Sequence, residues 1–147
     1  MQRILPRKWS EFISKQPVLR IATFGDRYPH VTPVWFVLDE NTFYVVVDDY
    51  TKKLKNIRKN NHISALVDYY DPSNWQKVKG YKGIMLRAKA DIVDDPQSKE
   101  HKKARKMLQE KYIAYAKKYR RWMEGKDPKG KPIIIKFTSS SFSSWEY

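Results

Sequence analysis

Apolar and β-branched residues recur along the chain in short runs separated by polar turns, a pattern typical of β-strands. The turns carry Gly, Asp and Asn, as in Gly25-Asp26-Arg27. Most connections are short, which predicts a mainly antiparallel α+β fold, a closed or nearly closed barrel with flanking helices. The first three runs are expected to form a meander, and the residues after Phe137 an extended tail. The six predicted strands are residues 18–24, 28–38, 43–47, 63–69, 83–93 and 133–137.

Helical spacing of apolar residues appears in three other stretches. Pro6 precedes Trp9, Phe12 and Ile13, which predicts a short N-terminal helix with Pro6 in its first turn. Residues 98–123 predict a long helix with an apolar stripe, on which the tyrosines serve in packing. The members of the stripe are Ala104, Leu108, Tyr112, Tyr115, Tyr119 and Trp122.

The third helical stretch follows the strand 43–47 and is short and amphipathic, with Leu54 and Ile57 on one face. Thr51 stands where an N-cap hydroxyl would accept a backbone N–H, and Asn60 and Asn61 suit a left-handed ending.

The first turn of that helix carries the clearest candidate chemistry. Lys52 and Lys53 lie where the helix dipole is positive, a position that disfavours cations. Free N–H groups, the hydroxyl of Thr51 and two ammonium groups together favour a bound phosphate. The alternative is a lysine-rich surface helix in a lysine-rich protein.

Composition sets outer bounds on the protein. Its 147 residues, 41% of them hydrophobic, are expected to form one domain, residues 1–147. No apolar run approaches the roughly 20 residues that cross a bilayer, and the N-terminus lacks signal-peptide features. With no cysteine, a cytoplasmic protein is expected that uses neither disulfides nor a membrane. The three histidines are far apart in sequence, so no metal site is expected.

The net charge of +14 is concentrated in residues 99–131. Such an excess attracts polyanions, among them nucleic acids and acidic cofactors. A lysine-rich surface is also typical of proteins from hot habitats. No catalytic motif is visible, so we predict no catalytic residue; this suits an enzyme whose cofactor performs the chemistry.

The order PHVTPVWF, FYVVV, then Thr51-Lys52-Lys53 with Ile57 and Asn60, followed by YKGIMLRAKADIV and SSWEY, resembles the pyridoxamine 5′-phosphate oxidase-like FMN-binding split-barrel family. The resemblance implies a six-stranded split barrel. It also implies a homodimer that holds a flavin at each subunit interface.

The same resemblance assigns roles to residues of this chain. Thr51, Lys52 and Lys53 correspond to the group that holds the FMN phosphate. Trp145 corresponds to a residue that contacts the cofactor of the other subunit. The residues that correspond to the lining of the isoalloxazine ring are Thr32, Pro33, Val34 and Trp35, with Val46 and Val47 at its border.

One departure limits what is carried over. Pyridoxamine phosphate oxidases share a C-terminal R-x-H segment that binds substrate, and this chain ends in SSWEY without it. We therefore expect FMN binding and an oxidoreductase activity on an unidentified small molecule, not the vitamin activity. Three alternatives stay open: a deazaflavin- or haem-binding relative, a flavin carrier without turnover, and a basic module that binds nucleic acid. Nucleic acid is the less expected partner.

Overall fold

A seven-stranded antiparallel sheet dominates the fold. The computed structural model describes residues 3–77 and 79–147. Along the sheet the strand order is β2-β1-β5-β6-β7-β4-β3. The strands are β1 (Leu19–Thr23), β2 (His30–Val34), β3 (Phe36–Asp39), β4 (Thr42–Asp48), β5 (His62–Tyr69), β6 (Lys82–Val93) and β7 (Pro132–Glu146).

The two edges of the sheet are consecutive in the chain. Only Trp35 separates β2 from β3, yet β2 pairs with β1 and β3 pairs with β4. The sheet must therefore curl until its edges meet, which is how the chain makes a barrel. The expected single strand 28–38 is wrong, and so is the meander, because the strand divides at Trp35. Pro33 lacks an N–H and suits an edge strand, which β2 is.

Strand β7 corrects a second expectation. The residues after Phe137 are part of β7, which runs for 15 residues. Its first half pairs with β4, and most of its length pairs with β6 across a bulge at Arg87/Ala88. The expected six strands become seven because 28–38 contributes two, and the split barrel itself is confirmed.

The inner face of the curled sheet holds the core. Phe43 and Phe137, which pair across β4 and β7, stack with ring centroids 4.9 Å apart. Helix α1 (Arg7–Ser14) buries Trp9 and Ile13 in this core, and the predicted N-terminal helix is confirmed.

Helix α2 (Lys52–Lys59) packs against the same core through Leu54 and Ile57. Asn56 of α2 donates a buried 3.0 Å hydrogen bond to Thr23 of β1. This bond fixes α2 against β1 at one end of the barrel.

The outer face of β3, β4 and the start of β7 is covered by α3 (Lys99–Lys111), α4 (Ile113–Lys118) and α5 (Arg120–Met123). The expected single helix is wrong because the backbone leaves helical geometry at Tyr112 and Tyr119. The hydroxyl of Tyr112 donates to Pro17 O and accepts from Phe36 N, and these contacts hold the first break.

In the described part of the chain, no helix is long and apolar enough to cross a membrane.

Candidate functional site

Most of the predicted site residues lie at one place, where the β2–β3 junction meets the end of β4. Phe36 pairs with Val45, so Trp35 lies beside the last residues of β4. Trp35 and Val46 share the outer-face cluster, whereas Val34 and Val47 are buried in the inner core. The side chains of Val34 and Val47 are thus occupied by packing, and a ligand would meet their backbone.

The start of α2 differs in one respect from expectation. Thr51 takes the N-cap position, but its side chain makes no cap bond; its hydroxyl donates instead to Asp48 O at 2.9 Å. The first-turn N–H groups are therefore not capped by the Thr51 side chain, as a site for an anion requires. The predicted left-handed end is wrong, since Asn60 is extended with φ −145°.

The two lysines of the first turn have different surroundings. Lys52 is exposed, and its Nζ lies 3.6 Å from the carboxylate of Asp26. Lys53 is half-buried; burial lowers the pKa of its ammonium, and the charge of Asp48 opposes part of that effect. Within residues 3–77 and 79–147 no carboxylate forms a salt bridge with Lys53. Lys53 is therefore a partly desolvated cation with no close counter-ion in the described chain.

Two buried polar atoms on β2 also lack a partner among the described residues. They are Thr32 Oγ1 and His30 Nδ1. By the alternation of the strand both lie on the face of Val34, towards the barrel interior. Buried polar groups normally have a partner, so both atoms fit a polar ligand. His30 was not among the predicted site residues, although its spacing of two from Thr32 placed it on the same face.

Trp35 forms one wall of a cleft of about 410 Å³. Its indole stacks on Tyr112 with centroids 5.3 Å apart and lies 4.8 Å from the ring of Tyr115. We call this space the aromatic cleft. Its lining residues are Trp35, Asp48, Tyr50, Tyr115, Tyr119, Trp122, Asp127, Lys129 and Gly130.

Sequence reasoning missed most of this lining. Tyr115 and Tyr119 were predicted as buried packing residues, which is wrong: they are 52% and 41% exposed and flank the cleft. The break at Tyr112 turns them out of the stripe. The available signal in the sequence was the spacing of four between Tyr115 and Tyr119, which places both rings on one side of a helix.

Trp145 lies far from these residues within one chain. It pairs with Gly83 near the end of β7, whereas Pro132 at the start of β7 pairs with Asp48. A strand of that length separates the two ends by about 40 Å. Trp145 packs closely on Gly83, where a Cβ atom would lie 2.6 Å from the indole. Contact of Trp145 with the cofactor of a second copy of the chain stays a prediction.

A larger cavity of about 920 Å³ lies on the outer face of β1, β5 and β6. Its lining includes His62, Arg87 and Lys89, but none of the predicted site residues. This cavity is larger than the aromatic cleft, but the candidate site residues Lys53, Thr32 and Trp35 do not line it.

Among residues 3–77 and 79–147 no group of three or more His, Asp or Glu side chains is arranged to hold a metal ion.

A model of the pyridoxamine 5′-phosphate oxidase family matches residues 5–145. No curated protein matches the sequence.

Solved structures share the fold at low sequence identity. A conserved hypothetical protein from Mycobacterium tuberculosis superposes with a TM-score of 0.76 at 19% identity, over 99% of this chain and 89% of that chain. A FAD-binding protein from Mesorhizobium loti gives 0.68 at 16%, over 98% and 95%. An F420 reductase gives 0.65 at 22%, over 95% and 98%. These TM-scores show a common split-barrel fold.

Proposed function

The chain belongs to the pyridoxamine 5′-phosphate oxidase family, and from that premise we propose that it binds FMN and acts as an oxidoreductase on a small molecule. Flavin binding is consistent with its structural neighbours, one of which is a FAD-binding protein and another an F420 reductase. FMN is the specific choice because the start of α2 suits a terminal phosphate.

The observation that carries the proposal is the state of Lys53. A half-buried ammonium without a salt bridge in the described chain is costly unless an anion accompanies it. Lys53, the hydroxyl of Thr51 and the N–H groups of the first turn would hold the phosphate. Lys52, which faces Asp26 from the surface, would contribute long-range attraction.

The ring would lie along the β2–β3 junction. Trp35 and Val46 supply an apolar wall on the outer face. The buried hydroxyl of Thr32, which has no partner among the described residues, lies on the opposite face of β2, where the edge of the ring would have to reach it. Val34 and Val47 would contribute backbone groups. When bound, the flavin supplies a two-electron acceptor at N5. The chain's own part is to orient the ring and exclude water.

Dimerisation with the cofactor at the interface is part of the proposal. The β1–β2 end of the sheet exposes Phe24, Tyr28 and Val31, at 61%, 78% and 63%. Val31 lies on the edge strand β2, and Phe24 and Tyr28 lie in the connection between β1 and β2, which favours a partner there. In such a dimer the second copy would supply Trp145 to the site of the first.

The absorption spectrum of the purified protein, with mass identification of the molecule that heat releases, tests the cofactor. We expect a flavin spectrum and the mass of FMN. Release of a deazaflavin or of haem would replace FMN, and a colourless protein that FMN does not bind would overturn the proposal.

Lys53→Gln is expected to weaken FMN binding about ten- to a hundredfold, because a charge-assisted hydrogen bond contributes roughly 1.5–3 kcal/mol. Lys52→Gln is the matched control and should change affinity far less, because Lys52 is exposed. Riboflavin, which lacks the phosphate, should bind wild type and Lys53→Gln alike. Equal losses of affinity for FMN and riboflavin would contradict a phosphate site at Lys53.

A further inference from the structure

The aromatic cleft combines two features that are unusual together in so basic a chain. Its walls are aromatic rings from four segments: Trp35 from the β2–β3 junction, Tyr50 from the β4–α2 turn, Tyr115 and Tyr119 from α4 and its end, and Trp122 from α5. Faces of such rings attract cations, and cages of them recognise N-alkylated ammonium ligands.

Carboxylates gather on one side of the same cleft. Asp48 and Asp127 line it, and Asp49 lies next to them: a Cβ atom on Gly130 would be 3.2 Å from an oxygen of Asp48 and 3.5 Å from one of Asp49. None of the three forms a salt bridge within the described residues. A hydrogen bond with Asp48 and the charge of Asp48 raise the pKa of the Tyr50 phenol, and the charges of Asp49 and Asp127 add to this effect.

Lysines near the cleft oppose this negative potential without cancelling it. Lys118 is exposed, and its Nζ lies 5.4 Å from the centroid of the Tyr119 ring. Lys129 lines the rim and is exposed, so water screens its charge. Lys53 is near enough to Asp48 for their charges to interact, but in the proposed function it is committed to phosphate. The interior of the cleft is left with aromatic faces and carboxylates, in a protein whose net charge is +14.

We propose that the aromatic cleft binds a small organic cation, a pyridinium or N-alkylated ammonium compound, as the substrate beside the flavin. Cation binding itself needs only the cleft, while the role as substrate rests on the proposed function. Trp35 is the wall common to both sites. The volume, about 410 Å³, falls in the range of small-molecule sites.

A pair of isosteric probes that differ by one charge tests the ligand class. The probes are 1-methylnicotinamide, a cation, and 3-methylbenzamide, its neutral counterpart. Calorimetry on the flavin-free protein should show the cation binding at least about tenfold more tightly. Equal affinities, or a preference for the neutral probe, would overturn the inference.

Matched variants locate the binding. Asp48→Asn with Asp127→Asn should remove most of the preference for the cation. Asp94→Asn with Glu110→Gln changes the net charge equally at exposed positions outside the cleft and should leave the preference intact. Tyr119→Leu, a change at a largely exposed ring, should weaken the cation alone. Equal effects of the two double variants would show that the net charge of the protein, and not the cleft, determines the preference, and would overturn the inference.

Flavin-loaded protein separates the two proposals. A cation that binds with the flavin retained and shifts its visible spectrum supports the substrate role. A cation that displaces the flavin would show that the cleft is the ring's own site and overturn that role. A protein that binds the cation but no flavin would refute the proposed function and leave the ligand class of the cleft standing.

Discussion

Lys111 carries a buried ammonium whose desolvation is offset only in part by a contact with an aromatic ring. Its ammonium lies 3.6 Å from the centroid of the buried Phe36 ring, and Nζ has no hydrogen-bond partner among the described residues. Burial lowers the pKa of this ammonium to about 8. The cation–π contact favours the charged form, and desolvation opposes it more strongly.

This pKa predicts a pH dependence of stability. Between pH about 8 and 10.5 the unfolded chain holds a proton on Lys111 that the folded chain has released. The unfolded state therefore binds more protons there, and the free energy of unfolding gains a contribution that rises with pH. Lys111→Met should remove this rise and stabilise the protein at pH 7, as urea unfolding at pH 7 and pH 10 would measure. Lys106→Met, at an exposed position of the same helix, is the control; the same pH response in both variants would contradict the assignment.

The candidate phosphate site at the start of α2 could be predicted from sequence, because the positions of the lysines relative to the helix dipole follow from their places in the first turn. It could not separate Lys52 from Lys53, since which lysine is half-buried depends on how α2 packs on β1 through Asn56 and Thr23. For the same reason it missed that Thr51 bonds backward to Asp48 O. Burial at a site is a tertiary property, and the local pattern carries none of it.

At the scale of elements, Arg105 ties the helical segment together. Its guanidinium donates from Nη1 to Met123 O at 2.8 Å and from Nη2 to Pro96 O at 2.9 Å. One side chain of α3 thus joins Pro96, in the loop before that helix, to the end of α5. Trp122 on α5 lines the aromatic cleft, so this tie helps to fix the cleft wall.

Arg105→Met should therefore cost about 1–3 kcal/mol, because two partly buried carbonyls lose a charged donor. Urea unfolding measures the loss, and hydrogen exchange should rise at the end of α5. Arg121→Met, at an exposed position, should change stability by less than about 0.5 kcal/mol. A loss of the same size in both variants would argue against the tie.

The strands β1, β5 and β6 were predictable to within a few residues because the alternation of buried and exposed residues survives in them. The division of the predicted strand 28–38 was not predictable. Trp35 separates β2 from β3, but as an apolar residue it continues the apolar run in the sequence. The prediction of one long helix failed in the opposite way. The spacing of its apolar residues is regular, but the Tyr112 hydroxyl donates to Pro17 O and accepts from Phe36 N, and these bonds break the helix. Both errors arise where a distant contact overrides local preference.

At the scale of the whole molecule, the charge of +14 is compatible with a solvated surface or a polyanion site. Lys102, Lys106 and Lys117 are exposed. If they only solvate the helices, changing all three to Gln should leave FMN affinity unchanged and stability within about 0.5 kcal/mol. Duplex DNA should bind weakly at low salt and detach near physiological salt. Tight binding that survives physiological salt, with a salt slope that the triple change makes shallower by about 0.9 per lost phosphate contact, would favour the nucleic-acid function.

Assembly decides whether the predicted site is ever complete. Lys53 lies at the end of the barrel where Asp48 pairs with Pro132, and Trp145 lies near the other end of β7. If one flavin contacts both, each site takes Lys53 from one subunit and Trp145 from its partner. Sedimentation at micromolar concentration should show a dimer, and FMN should raise the melting temperature because it binds the native state.

Mixing two defective variants tests this arrangement directly. Lys53→Glu homodimers and Trp145→Ala homodimers should each bind FMN weakly, since every site lacks one contact. In a heterodimer of the two, one site carries both changes and the other carries neither, so refolding a mixture should restore one site of wild-type affinity per heterodimer. Flavin titration counts these sites, and refolding each variant alone is the control. Restoration cannot occur if Lys53 and Trp145 act within one subunit, because each subunit would still carry a defect. A mixture that regains no tight site, or a Trp145→Ala dimer of undiminished affinity, would contradict a site shared between subunits.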